Sequence, residues 1–73
     1  MTTLVTPDDF KDALLGAVPH LRAFARSLCR NQDRADDLVQ ETLLRAWEHR
    51  DGLREGSRLK PWLMTILRNV HYM

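Results

Sequence analysis

The chain predicts an all-α domain, a compact bundle of three main helices, and three observations carry that expectation. Apolar residues recur at threes and fours over residues 10–28, 35–47 and 59–73, the spacing that turns one side of an α-helix toward a core. A helix-start signal stands ahead of each run: Thr6-Pro7-Asp8-Asp9, Asn31-Gln32-Asp33, and the span 57–61 with its Ser and Pro. No segment alternates polar and apolar residues as a half-buried strand would, and there is no internal repeat or low-complexity tract.

The first helix begins near Pro7. Thr6 is suited to cap it, Pro7 has no N–H to leave unpaired in the first turn, and Asp8 and Asp9 favour the positive end of the helix dipole. Phe10, Leu14, Ala17, Val18, Leu21, Ala25 and Leu28 form its buried stripe. Gly16 and Pro19 interrupt that stripe, and because Pro removes a hydrogen bond and crowds the carbonyl four residues back, a kink or break is expected there. Arg22, Arg26 and Arg30 repeat at four-residue spacing beside the core face. They read as a solvated basic edge near a helix C-terminus, or as electrostatic help to DNA or to a protein partner.

Asn31-Gln32-Asp33 turns the chain, with Asn31 suited to a left-handed conformation and Asp33 to capping. So short a connection makes the first two helices antiparallel neighbours. On the second helix Ala35, Leu38, Val39, Thr42, Leu43, Ala46 and Trp47 share the inward side. Asp37, Gln40, Glu41, Leu44 and Glu48 share the outward one, where Leu44 has no core to enter. A stray surface Leu is ordinary; an apolar anchor ringed by acids and an amide also fits a docking surface.

That helix should fade over residues 49–51, with Gly52 as the stop. The third helix starts between Ser57 and Pro61: a capping Ser57 would strain Pro61, whereas a start at Lys60 would seat it comfortably. Leu59, Trp62, Leu63, Ile66, Leu67, Val70 and Met73 face the core, leaving Lys60, Met64, Thr65, Arg68, Asn69 and Tyr72 outside. Any amphipathic helix would look similar, but a cation, an amide, a hydroxyl and a phenol beside a basic loop match the chemistry of single-strand recognition. The expected core is Leu21, Leu28, Leu38, Leu43, Trp47, Trp62, Leu63 and Ile66.

A net charge of +1 conceals two opposite halves. Residues 33–48 hold five acids and two bases, whereas residues 50–73 hold five bases and two acids. Two surfaces for two partners follow from that asymmetry, the basic one suited to phosphates. Cys29 is the only cysteine, so no internal disulfide forms, and it reads as a core thiol in a reducing cytosol. No metal-ligand spacing, cofactor motif, membrane span or signal peptide is present in the sequence. His20, His49 and His71 stand far apart without a nucleophile and no glycine-rich phosphate loop occurs, which argues against an enzyme.

Asp36-Asp37-Leu38-Val39-Gln40-Glu41-Thr42, followed by Ala46-Trp47, resembles region 2.2 of bacterial sigma factors of the extracytoplasmic-function group. The stretch from Gly56-Ser57-Arg58-Leu59-Lys60-Pro61-Trp62 through Thr65-Ile66-Leu67-Arg68-Asn69 resembles regions 2.3 and 2.4, in the same order and separation. Wording around Leu43-Leu44-Arg45-Ala46-Trp47 is similar to the general-stress subgroup of alphaproteobacteria. The resemblance implies that Asp37, Gln40, Glu41, Leu44 and Glu48 bind the β′ coiled coil of core RNA polymerase. It implies that Ser57, Arg58, Lys60, Thr65, Arg68 and Asn69, with Arg54 on the backbone, bind the non-template strand of the promoter minus-ten element. It further implies an anti-sigma factor as partner, no cofactor, and a cytoplasmic, nucleoid-associated place of action. Trp62 matches a family Trp but its phase points inward, to a role shaping the pocket.

Two departures stand out: Leu53 where the family commonly has an aromatic, and Pro61 before Trp62. The resemblance runs from about Phe10 to Tyr72 and includes no C-terminal region-4 helix-turn-helix, so residues 1–73 read as one region-2 domain of a longer protein. Two other readings compete. A sigma-like decoy that sequesters an anti-sigma factor would share the fold without needing an intact DNA-reading loop. A generic helix-turn-helix module would not explain the acidic middle helix.

Overall fold

The structure, a computed structural model, describes residues 7–53 and 58–72. The expected Thr6 cap lies outside them. Three helices pack against one another, α1 over Pro7–Leu28, α2 over Gln32–Glu48 and α3 over Leu59–His71, each touching the other two.

The interruption expected near Gly16 and Pro19 does not divide α1, which is a single segment with Pro19 inside it. The reason lies in where the lost hydrogen bond falls. Pro19 is exposed, and the carbonyl it leaves without an N–H belongs to Leu15, itself 58% exposed, so the lost bond falls on an exposed part of the helix rather than in the core. Phe10, Leu14, Ala17, Leu21 and Ala25 meanwhile stay buried in one line across the proline.

Asn31, rather than Asp33, caps α2. Its backbone is extended (φ −88°, ψ 126°) instead of left-handed, and its Oδ1 accepts from the N–H groups of Asp33 at 2.7 Å and Arg34 at 3.3 Å. Asp33 becomes a first-turn acid, placed well for the dipole. The helix ends at Glu48, and a 3-10 turn over Arg50–Gly52 follows, closed by the Gly52 N–H donating to the His49 carbonyl at 2.8 Å. On α3 the start falls between the two alternatives: Arg58 is the cap residue, making Pro61 the third helical position. Its missing N–H is still one of the four that a helix start leaves unpaired, so the ladder loses nothing.

The core is Phe10, Leu14, Ala17, Leu21, Ala25, Ala35, Leu38, Val39, Ala46, Leu63 and Leu67. Alanines from α1 and α2 let the helices approach closely, while Leu28, Leu43, Trp62, Ile66 and Cys29 pack around them half-buried. Thr42 is fully buried and still satisfied, its hydroxyl donating to the Leu38 carbonyl at 2.7 Å. Trp47 departs from expectation: it lies at the rim, 37% exposed. It ends the inward stripe in the last turn of α2, beyond which only the short 3-10 turn continues.

Candidate functional site

One ring from each helix meets at the end of the bundle that leads into the loop. The Phe10 ring stands 6.1 Å from Trp47 and 6.1 Å from Trp62, the latter nearly edge-on at 70°. Such pairs contribute about 0.5–1.5 kcal/mol each beyond the area they bury. Beyond Trp47 the Arg50 guanidinium sits 4.2 Å from the ring centroid and donates to the Trp47 carbonyl at 2.7 Å. The cluster therefore fixes α3's first turn and the start of the loop, which agrees with the inward role expected for Trp62.

On α2 the outward face is as the helical phase requires. Leu44 is 61% exposed, Asp37, Gln40 and Glu48 are exposed, and Glu41 is half-buried. Glu41 accepts from the Arg45 Nε at 2.9 Å. That i,i+4 pair is open to solvent and contributes about 0.3–0.5 kcal/mol, so it orients the two side chains more than it stabilises the fold.

On α3 the outward stripe runs Pro61, Thr65, Arg68 and Tyr72, all exposed, with Lys60 on one flank and Asn69 on the other. The Thr65 hydroxyl donates to the Pro61 carbonyl at 3.0 Å, which leaves its lone pairs for an outside donor. Arg58, Leu59, Lys60 and Pro61 also wall a groove of about 430 Å³ whose far side is Ala13 and Ala17 of α1. An apolar groove with two cations on one wall suits a flat apolar group carrying an anion. Asn69 faces a smaller pocket of about 180 Å³ shared with Arg45, His49 and Ile66, nearer α2 than Lys60 is. Arg54 and Ser57 lie outside the described residues.

A second groove of about 430 Å³ joins the acidic face to the far end of α3, lined by Cys29, Arg34, Asp37, Glu41 and His71 among others. The Cys29 Sγ lies 3.8 Å from His71 Nδ1. Sequence reasoning missed this meeting, and nothing in the spacing of residues 42 apart could have announced it. The Arg50 contact was findable, since an Arg three residues after a Trp shares its face at a helix end. Among the described residues no three His, Cys, Asp or Glu side chains converge as a metal site requires, and no helix is long and apolar enough to cross a membrane.

Residues 16–73 match Sigma-70 region 2. The chain belongs to that family. This region-2 domain is 62% identical over 63 residues to the ECF RNA polymerase sigma factor EcfG of Rhodopseudomonas palustris (strain TIE-1), covering 86% of this chain and 35% of that protein. It is 37% identical over 63 residues to the RNA polymerase sigma factor CarQ of Myxococcus xanthus, covering 86% and 36%. Among solved structures it resembles the sigma factor RpoE from Bartonella quintana, crystallised with the anti-sigma factor NepR, with a TM-score of 0.82 and 56% identity over 88% of this chain and 40% of that one. The chain thus spans between a third and two-fifths of the length of these relatives.

Proposed function

We propose that this region-2 domain serves transcription initiation by holding core RNA polymerase on one side and melted promoter DNA on the other. Carrying the reading is the presence of two chemically different exposed surfaces: Leu44 among Asp37, Gln40 and Glu48 on α2, and the Thr65, Arg68 and Asn69 side of α3. On α2, Leu44 supplies an apolar anchor for the β′ coiled coil, and the carboxylates pair with its cations.

Opening a duplex costs a few kcal/mol per unstacked base, and the open form persists when a protein pockets the base and holds its flanking phosphates. Arg58 and Lys60, both on one wall of an apolar groove, would hold phosphates around such a base. Thr65 and Asn69 offer hydrogen-bonding groups to base edges, and Arg68 a further strand contact. Arg54 and Ser57 would act from the loop. An anti-sigma partner, proposed because RpoE is bound to NepR in its crystal structure, would compete for these faces. The work belongs in the bacterial cytoplasm, at the nucleoid.

Leu44→Glu tests the polymerase side: the fold persists and capture of core enzyme is lost. Capture equal to the parent's would remove α2 from the interface. On the DNA side, a single-stranded minus-ten oligonucleotide with each base varied in turn should show affinity falling at particular positions. Flat affinity across the series would make the domain a decoy for an anti-sigma factor instead.

A further inference from the structure

One flank of α1, beside its buried stripe, has no part in either surface above. Lys11, Leu15, Val18, Arg22 and Arg26 lie along it, stepping 4, 3, 4 and 4 residues, which keeps them on one stripe. Leu15 is 58% exposed, Val18 half-exposed, and the three cations exposed. Among the described residues none of those cations has an ion-pair partner. An exposed Leu inside a basic stripe is poorly suited to a phosphate backbone, which offers it nothing to pack on, and well suited to an amphipathic acidic helix.

Such a helix is present in the chain itself. Read backwards, the outer stripe of α2 is Glu48, Leu44, Glu41, Asp37 and Asp33, stepping the same 4, 3, 4 and 4 residues. Laid antiparallel, Lys11 meets Glu48, Leu15 meets Leu44, Val18 meets the Glu41–Arg45 pair, Arg22 meets Asp37 and Arg26 meets Asp33. Both stripes span about 22 Å, so the match holds along the full contact. The parallel arrangement sets Leu15 against Asp37 and Arg22 against Leu44, which leaves both charges without partners. Asp33, Asp37 and Glu48 are exposed and without ion-pair partners among the described residues.

We propose that the chain associates head to tail with itself, the basic stripe of α1 in one copy seated on the acidic stripe of α2 in the next. The contact is heterologous, so each end of an assembly keeps one unused face and growth is open unless a ring closes. One helix laid on one helix is a small interface and a largely ionic one, so association is weak and salt-sensitive. It covers Leu44. Storage of the domain in a form closed to polymerase is the consequence, and that consequence alone rests on the docking function proposed above.

Sedimentation equilibrium of the chain at low ionic strength tests the contact without polymerase. The average mass should rise above the 8.5 kDa of the monomer as concentration rises toward ~1 mM, and return to it in ~0.5 M salt. Arg22→Glu and Asp37→Arg, both at exposed positions, should each weaken association by at least ~10-fold with an unchanged helical spectrum. Mixed one to one, the variants regain a parental contact, Arg22 of one against Asp37 of the other, and association returns. A chain that stays monomeric throughout, or reversal variants that associate as the parent does, would overturn the proposal. Association with failed capture of polymerase by unassociated parent chain would overturn the docking function and leave the self-contact standing.

Discussion

Phe10→Ala should be the most damaging single truncation in the domain. Phe10 is 1% exposed and its ring touches both tryptophans, so its removal empties a site walled by all three helices. Buried Phe to Ala costs about 3–5 kcal/mol, and the loss of two ring pairs places this site in the upper part of that range. A chain of 73 residues has about 4–11 kcal/mol in total. Its unfolding entropy is about 0.15 kcal/mol/K, which converts a loss of about 4–5 kcal/mol into a fall in Tm of roughly 25–35 °C. Thermal unfolding followed by circular dichroism reads this directly, with Leu15→Ala, at an exposed position, as the control that moves little. A Phe10→Ala midpoint within ~5 °C of the parent would refute the view that this ring couples the three helices.

Five smaller perturbations separate stability from binding. Asn31→Ala removes both capping bonds and should cost about 1 kcal/mol in urea unfolding, whereas Asp33→Ala should cost less, the reverse of what sequence favoured. Thr42→Val replaces a buried hydroxyl whose acceptor, the Leu38 carbonyl, also lies within the α2 hydrogen-bond ladder, so it should be close to neutral by the same assay. For single-stranded minus-ten DNA, Lys60→Ala should lower the salt dependence of binding by about one ion for every sequence. Asn69→Ala should instead relax discrimination at one base, worth roughly 1–3 kcal/mol, with the salt slope unchanged.

The long-range plan was legible in the sequence because helical phase is a strong signal. Ala35, Leu38, Val39, Thr42 and Ala46 lie inward and Leu44 outward, as a period of 3.6 demands. What phase cannot supply is the end of the face, so Trp47 was expected inside and stands at the rim. Asn31 and Asp33 are equally good capping residues by type, and only the backbone at Asn31 decides between them. Of the kink or break expected at Pro19 the break does not occur, and the bond the proline removes falls at Leu15 on an exposed part of the helix, which local pattern does not reveal. Convergence at the candidate site, with Cys29 meeting His71 and Arg58 meeting Ala13 across a groove, depends on tertiary packing that no local pattern encodes.

Three residues separate α1 from α2, whereas ten lie between α2 and α3. Contacts near in sequence form early because little chain entropy opposes their closure, on the order of microseconds for helical units of this kind. The first pair of helices is thereby expected to assemble as a hairpin before the third arrives. Local opening should then detach α3 first, so the side proposed to grip nucleic acid would be the more yielding one, free to adapt as strands part while the acidic side stays fixed.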